Sequence, residues 1–291
     1  MTSRPKIALL VTDLDNTLWD WFEIWYRSFV ALVSGLVASS GVPREVLEAE
    51  IHKVHQARGT SEYSYLIQEL PSLREGHAGE DLTAVYAAAI AASREARKTA
   101  MQLYPGVKTT LEYLRERDVV VAAYTESPAY YTSYRIRSLE LDGLINFVYS
   151  PPDHDFPAGV SPDDLRTRLP EAYELKQTEH RSTPRGVLKP DATVLTSIVD
   201  DFGDRATTAY VGDSLMKDIA MAQTVGVADV LAQYGEVRDR EKYEVLQRVS
   251  HWTTNDVERE EEIRSRPHVT PTFVLQRSFA DLLDVFDFGQ P

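Results

Sequence analysis

The chain has 291 residues, enough to bury a sizeable apolar interior without disulfides or metal staples, and room for one large domain or a core with a satellite. Its 31 Lys+Arg stand against 45 Asp+Glu, a net charge of −14 that disfavours non-specific contact with nucleic acid or an anionic membrane, and no Lys/Arg-rich run offers a basic groove. Cysteine is absent, which excludes disulfide frameworks, Cys-ligated zinc or iron–sulfur sites and thiol nucleophiles.

Ile7 to Val11 is a continuous apolar run that ends in Thr12-Asp-Leu-Asp-Asn-Thr17, the pattern of a strand buried on both faces that delivers carboxylates at its carboxyl end. That opening run is too short for a signal peptide's apolar region. The longest nearly apolar stretches, Phe29 to Ala38 and Ala84 to Ala92, fall short of the ~20 residues of a membrane span, so the expected location is cytoplasmic. Asp20 and Glu23 have capping-box spacing, and apolar residues then recur at helical period to Ser39-Ser-Gly41. Pro43 starts a second helix that stops near Gly59, shorter helical text covers about 62–70, and an Ala-rich helix is predicted over about 80–101.

Pro105-Gly106 ends this all-helical block. A short amphipathic helix, Val107 to Arg117, leads to a second apolar strand, Val119 to Tyr124. Further strands are expected at Phe147–Ser150, Thr208–Val211, Ala228–Gln233 and Thr272–Leu275. Strands alternating with helices imply a doubly wound parallel α/β sheet of Rossmann-like form, with ligands beyond the strands' carboxyl ends. Two stretches interrupt the rhythm: 151–187, with 6 of the 15 prolines, and 236–268, dense in both signs of charge around one helix, Glu241 to Trp252. Both read as insertions on the core, which gives a core of 1–18 and 104–291 and a helical block at 19–103.

Asp13 and Asp15 lie two apart at a strand end, where like charges are costly unless a cation or a shared proton holds them, which suggests a metal site. Thr125 closes the second strand, and Ser127-Pro128 has the form of an N-cap with a first-turn proline, a place that welcomes an anion. Lys189-Pro-Asp191 precedes a helix, and the strand after it ends in Gly212-Asp-Ser-Leu-Met-Lys-Asp218. Four carboxylates, a hydroxyl and an ammonium at one rim of a parallel sheet form the set that metal-assisted phosphoryl transfer requires.

Asp13-x-Asp15-x-Thr17, Thr125, Lys189 and Gly212-Asp213 with Asp218 resemble, in order, the four motifs of the haloacid dehalogenase-like hydrolase superfamily. Tyr104-Pro-Gly-Val107 resembles that family's return from cap to core, and Asp218 to Gly226 its helix after the fourth motif. The resemblance covers about 1–18, 104–150 and 188–235, with 269–288 as a last strand and helix. It implies a phosphatase with a helical cap inserted after the first motif, magnesium as cofactor and a small soluble phosphate ester as substrate. In that reading Asp13 is the nucleophile that forms an aspartyl-phosphate, and Asp15 is general acid and then base, a residue the dehalogenase branch lacks. Thr125, Glu126 and Ser127 hold phosphoryl oxygens, the latter two through the backbone, and Lys189 neutralises charge on nucleophile and phosphate. Asp13, the Asp15 carbonyl and Asp213 ligate the metal, while Asp218 orients a metal-bound water or Lys189.

Several readings stay open. Trp19, Trp21, Phe22, Trp25 and Tyr26 form either an aromatic wall for a ring-bearing substrate or, as their helical spacing favours, packing inside the cap. Arg58 at a helix end is a substrate contact or a solvated cation, and the His52/His55 pair reads as surface. The 151–187 insertion is a specificity flap or a solvent loop. A phosphomutase of the same family, a phosphonate hydrolase using Lys53 and a non-catalytic partner-binding protein are the alternatives in function; the oligomeric state is not legible.

Overall fold

The computed structural model describes residues 4–153, 169, 171, 173–251 and 269–289. The chain divides into two compact units, one formed by residues 1–20, 102–236 and 268–291 and the other by 21–101 and 237–267.

The first unit is built on a parallel sheet. Its strands are β2 (Leu9–Thr12), β3 (Val120–Tyr124), β4 (Phe147–Ser150), β5 (Glu179–Ser182), β6 (Thr208–Gly212), β7 (Ala228–Ala232) and β8 (Phe273–Leu275), in the order β5-β4-β3-β2-β6-β7-β8. β1 (Lys6–Ile7) pairs separately with β9 (Asp287–Phe288). The helices of this unit are α7 (Val107–Arg115), α8 (Ala129–Ser138), α9 (Thr193–Phe202), α10 (Ala220–Val225) and α12 (Leu282–Val285). β2 and β6 are buried at every residue, as strands covered on both faces must be, and Leu9, Val11, Tyr124, Leu195, Ile198, Tyr210 and Met221 share one core cluster.

β2 lies between β3 and β6, with Thr12 opposite Ala123 on one side and Val211 on the other. The chain runs outward from β2 in one direction through β3 to β5, then returns to build β6 to β8 on the other side. β2 is therefore the point where strand order reverses, and the crevice at its carboxyl end is where such a sheet binds ligands.

The 151–187 stretch contains β5, a strand its sequence does not announce: Glu-His-Arg-Ser carries no apolar run because the strand sits at the sheet edge. Asp142 fixes its approach by accepting from the backbone N–H groups of Lys176, Gln177 and Thr178 at 2.8–3.0 Å. Of the stretch proposed as a flap, residues 154–168, 170 and 172 lie outside the described residues.

The second unit is helical: α1 (Trp21–Ser40), α2 (Arg44–Arg58), α3 (Leu66–Glu69), α4 (Pro71–Arg74), α5 (Leu82–Val85), α6 (Ala87–Ala100) and α11 (Arg240–Val249). α1 and α6 approach so closely that a Cβ on Gly35 would stand 2.7 Å from the Ala89 Cβ. The expected continuous helix over 80–101 is broken at Tyr86, whose φ of −101° and ψ of 22° end α5 and start α6. No helix among the described residues is long and apolar enough to cross a membrane.

Reading 236–268 as an insertion on the core needs correction, because α11 belongs to the helical unit. The His52 and His55 ring nitrogens Nδ1 lie 2.8 and 2.6 Å from the carbonyls of Ser250 and Val249 at the end of α11. A carbonyl only accepts, so each Nδ1 carries the proton and donates. The expectation of a surface pair fails with it: His55 is 1% exposed, and burial lowers its pKa from 6.5 to about 4. The aromatic residues also separate. Trp25 stacks on Phe29 at 5.0 Å, Trp21 and Trp25 donate to Glu62 and to the Ser61 carbonyl, and Trp19 belongs to the other unit. Packing is what the helical spacing of Trp21, Trp25 and Phe29 encodes. Glu23 is held by Arg27 at 2.5 Å and Lys242 at 2.7 Å.

Candidate active site

The carboxyl ends of β2, β3 and β6 bring three of the four sequence motifs together, and the segment before α9 supplies the fourth. Asp13 follows β2, its N–H donating 2.7 Å to the Val211 carbonyl and so extending the ladder by one residue. Lys189 Nζ donates to Asp13 Oδ1 at 2.6 Å and to Asp218 Oδ1 at 2.8 Å. Asp218 also accepts from the Tyr210 hydroxyl at 2.8 Å and, through Oδ2, from the Ser214 N–H at 3.0 Å. A single π turn, Leu215–Ile219, carries Asp218 back over the end of β6. Only glycine fits at 212, because a Cβ there would collide with the Asp218 carboxylate.

Lys189 is buried between these carboxylates and the rings of Tyr124 and Tyr210, whose centroids lie 5.1 and 5.6 Å from Nζ. Burial disfavours its ammonium, but Asp13 and Asp218 overcome that and hold its pKa well above the ordinary lysine value. Burial pushes Asp13 up to about 7 against the opposing pull of Lys189, and burial with the neighbouring Asp218 and Asp13 raises Asp213 well above the carboxylate range. Ligand oxygens of Asp13, Asp213 and Asp218 all lie within 4.8 Å of one another. Three carboxylates against one ammonium leave two surplus negative charges when all are ionised. Oxygen donors with that surplus fit one hard divalent cation.

Asp15 stands apart from this cluster. Its carboxylate accepts from Trp19 Nε1 at 2.6 Å (Oδ1) and from the Ser127 hydroxyl at 2.5 Å (Oδ2), and the Arg135 guanidinium lies 3.6 Å from Oδ1. Ser127 therefore does not act as an N-cap. α8 has no side-chain cap from its preceding residue, and Asp153 accepts from the Tyr130 N–H instead, at 2.8 Å. Thr125 is buried, with Oγ1 accepting from the Ser127 N–H at 3.1 Å.

Glu126 has both oxygens engaged, one by the Lys189 N–H at 2.8 Å and the other by Lys217 Nζ at 2.6 Å, so its side chain shapes the loop before α9. Arg58, in the helical unit, pairs through its fork with Glu69 and lies 5.0 Å over the Tyr63 ring. This partnering replaces the solvated helix-end cation of the sequence reading. Sequence reasoning did not single out Tyr210, Lys217 or Arg135. Arg135 lies with Thr132 and Ile136 on the buried face of α8, a burial that only the structure reveals.

The model of the haloacid dehalogenase-like hydrolase family matches residues 7–226, and the chain belongs to that family. Among solved structures it is similar to the 2-haloacid dehalogenase from Pseudomonas syringae pv. Tomato DC3000, with 19% identity, 96% of this chain and 97% of that chain covered, and a TM-score of 0.53. It is also similar to a predicted phosphoglycolate phosphatase from Haemophilus somnus 129PT, with 17% identity, coverage of 96% and 97% and a TM-score of 0.48. A HAD phosphatase from Thermococcus onnurineus matches with 17% identity, coverage of 83% and 96% and a TM-score of 0.47. At 19% identity the likeness to the first of these supports the α/β fold, not the substrate. No curated protein matches the chain in sequence.

Proposed function

We propose that the chain is a magnesium-dependent phosphatase that hydrolyses a small soluble phosphate monoester through an aspartyl-phosphate on Asp13. The observation that carries the reading is the cluster of Asp13, Asp213 and Asp218, the first and last of them buried and bonded to Lys189, with a further carboxylate, Asp15, two residues beyond the nucleophile. Asp13, Asp213 and Asp218 are the residues that would hold the metal. When bound there, magnesium supplies positive charge for the phosphoryl oxygens and offsets the surplus negative charge of the carboxylates.

In the first half-reaction an Asp13 carboxylate oxygen forms a bond to phosphorus while the bond from phosphorus to the ester oxygen breaks. The leaving oxygen takes its proton from Asp15. In the second, a water oxygen attacks phosphorus, its proton passes to Asp15, and the breaking P–O bond returns its electron pair to Asp13. Lys189 favours the ionised form of Asp13 through its bond to Oδ1 and offsets charge on the phosphoryl group, and the Thr125 hydroxyl and the Glu126 N–H bind phosphoryl oxygens, the Ser127 N–H being engaged by Thr125 Oγ1.

The test is turnover of 4-nitrophenyl phosphate. Expected are activity with magnesium, loss of activity on chelation and loss in Asp13→Asn. Full activity in that variant, or with magnesium removed, would refute the mechanism. A panel of sugar phosphates, nucleotides and phosphoglycolate then identifies the ester.

A further inference from the structure

Arg135 is a full-length cation placed where an apolar side chain belongs. It sits on the buried face of α8 between Thr132 and Ile136 and is 1% exposed, and a buried guanidinium keeps its charge under all conditions. Taking such a charge out of water is costly, whereas an apolar residue of similar volume would pack there without that cost. Its NH1 lies 3.6 Å from Asp15 Oδ1, the oxygen that also accepts from Trp19 Nε1 at 2.6 Å. The indole N–H only donates and so holds Oδ1 of Asp15 as an acceptor, while the guanidinium, beyond hydrogen-bond reach at 3.6 Å, adds a fixed positive charge on that side that disfavours a proton on Oδ1.

The other oxygen, Oδ2, faces a different partner. Ser127 Oγ lies 2.5 Å from it, and a hydroxyl both donates and accepts. Ser127 and Arg135 are tied to the same helix. The Thr132 hydroxyl donates 3.0 Å to the Ser127 carbonyl one turn before Arg135, so the start of α8 presents both groups to Asp15 in one fixed arrangement.

We propose that Arg135 is a positioning residue which, with Trp19, reserves Asp15 Oδ1 as an acceptor and leaves Oδ2 as the oxygen that carries and delivers the proton. The inference rests on the phosphatase reading, since it concerns the group that protonates the leaving oxygen. In the first half-reaction the proton on Oδ2 goes to the ester oxygen as the ester P–O bond breaks; in the second, the attacking water returns a proton to the same oxygen. An alkoxide leaves poorly without that proton, while 4-nitrophenolate leaves without help. A misplaced Asp15 therefore slows alkyl esters far more than aryl ones.

The experiment compares kcat and KM of the full chain with magnesium on ethyl phosphate and 4-nitrophenyl phosphate, for the wild type, Arg135→Met, Arg135→Lys and Trp19→Phe. In Arg135→Met the ratio of alkyl to aryl kcat is expected to fall roughly tenfold or more, as misplacement of a general acid requires, with KM for both substrates little changed. Arg135→Lys should recover part of the ratio, and Trp19→Phe should lower it in the same direction. If Arg135→Met does not fold, the other two variants carry the comparison. Equal losses on both substrates, or a ratio unchanged in the folded variants, overturn the positioning role while the phosphatase reading stands. A wild type that turns over neither ester overturns both.

Discussion

The two units bury titratable groups in opposite ways. In the helical unit four of the described groups meet matched partners: His55 donates to the Val249 carbonyl, His52 to that of Ser250, and the Arg58 fork meets Glu69, which also accepts from the Tyr63 hydroxyl. At the carboxyl ends of β2 and β6, Asp13, Asp213 and Asp218 crowd within 4.8 Å around one lysine and leave a surplus of negative charge. A matched group holds a fold together, and a surplus one waits for something to bind. Burial alone does not mark a functional site; uncompensated charge does.

The largest expected effect breaks the surplus side. Asp13→Asn should lower kcat on the order of 10⁴-fold or more, because it removes the nucleophile, while the metal-free protein keeps or gains stability. The sign follows from the raised pKa: a carboxyl at about 7 in the fold and near 3.8 when unfolded gives its full stability below pH 3.8 and loses it as pH rises toward 7. The asparagine variant, having no charge to bury, escapes that loss. Thermal melts of chelated protein at pH 7 check it.

Magnesium titrations sharpen the same contrast. Binding needs ionised carboxylates, so below pH 7 the one proton that Asp13 must lose should make apparent affinity rise about tenfold for each unit that pH is raised, measured calorimetrically in buffers of different ionisation enthalpy.

The matched side answers to acid. His55 has a pKa near 6.5 unfolded and about 4 in the fold, so its contribution is complete above pH 6.5 and is lost as pH falls toward 4. The loss should reach about 3 kcal/mol and be absent in His55→Phe, provided the ring packs beneath α11; denaturant unfolding at pH 7 and pH 4.5 measures it. The smallest effect is expected at Arg58. Breaking its pair with Glu69 should cost about 1 kcal/mol or less, since both side chains are partly exposed. A rise in KM beyond that small change in stability would instead assign Arg58 to the substrate.

Much of the α/β unit is legible in the sequence because buried parallel strands are apolar runs: Phe147–Ser150 falls where the composition puts it, and the strands of Asp13, Thr125 and Asp213 are within a residue or two. The edge strand Glu179–Ser182 escapes because an edge needs no apolar face. α11 is amphipathic text whose target no local pattern names, so its place beside His52 and His55 emerges only in three dimensions. The Asp13, Asp15 and Asp213 carboxylates announce themselves as charges at strand ends. Arg135 and Tyr210 do not, because Arg135 is one of two arginines in the largely polar text of α8 and Tyr210 is a single residue within a buried strand.

The central claim, that Asp13 is phosphorylated during turnover, is tested most directly by acid-quenching the enzyme within one turnover of a phosphate ester in the presence of magnesium and mapping the modified peptide by mass spectrometry. The account predicts one phosphoryl group on the peptide that contains Asp13, removed by hydroxylamine and absent from Asp13→Asn. Hydrolysis of the ester with no phosphorylated enzyme at any quench time, or a phosphoryl group on another residue, would contradict it.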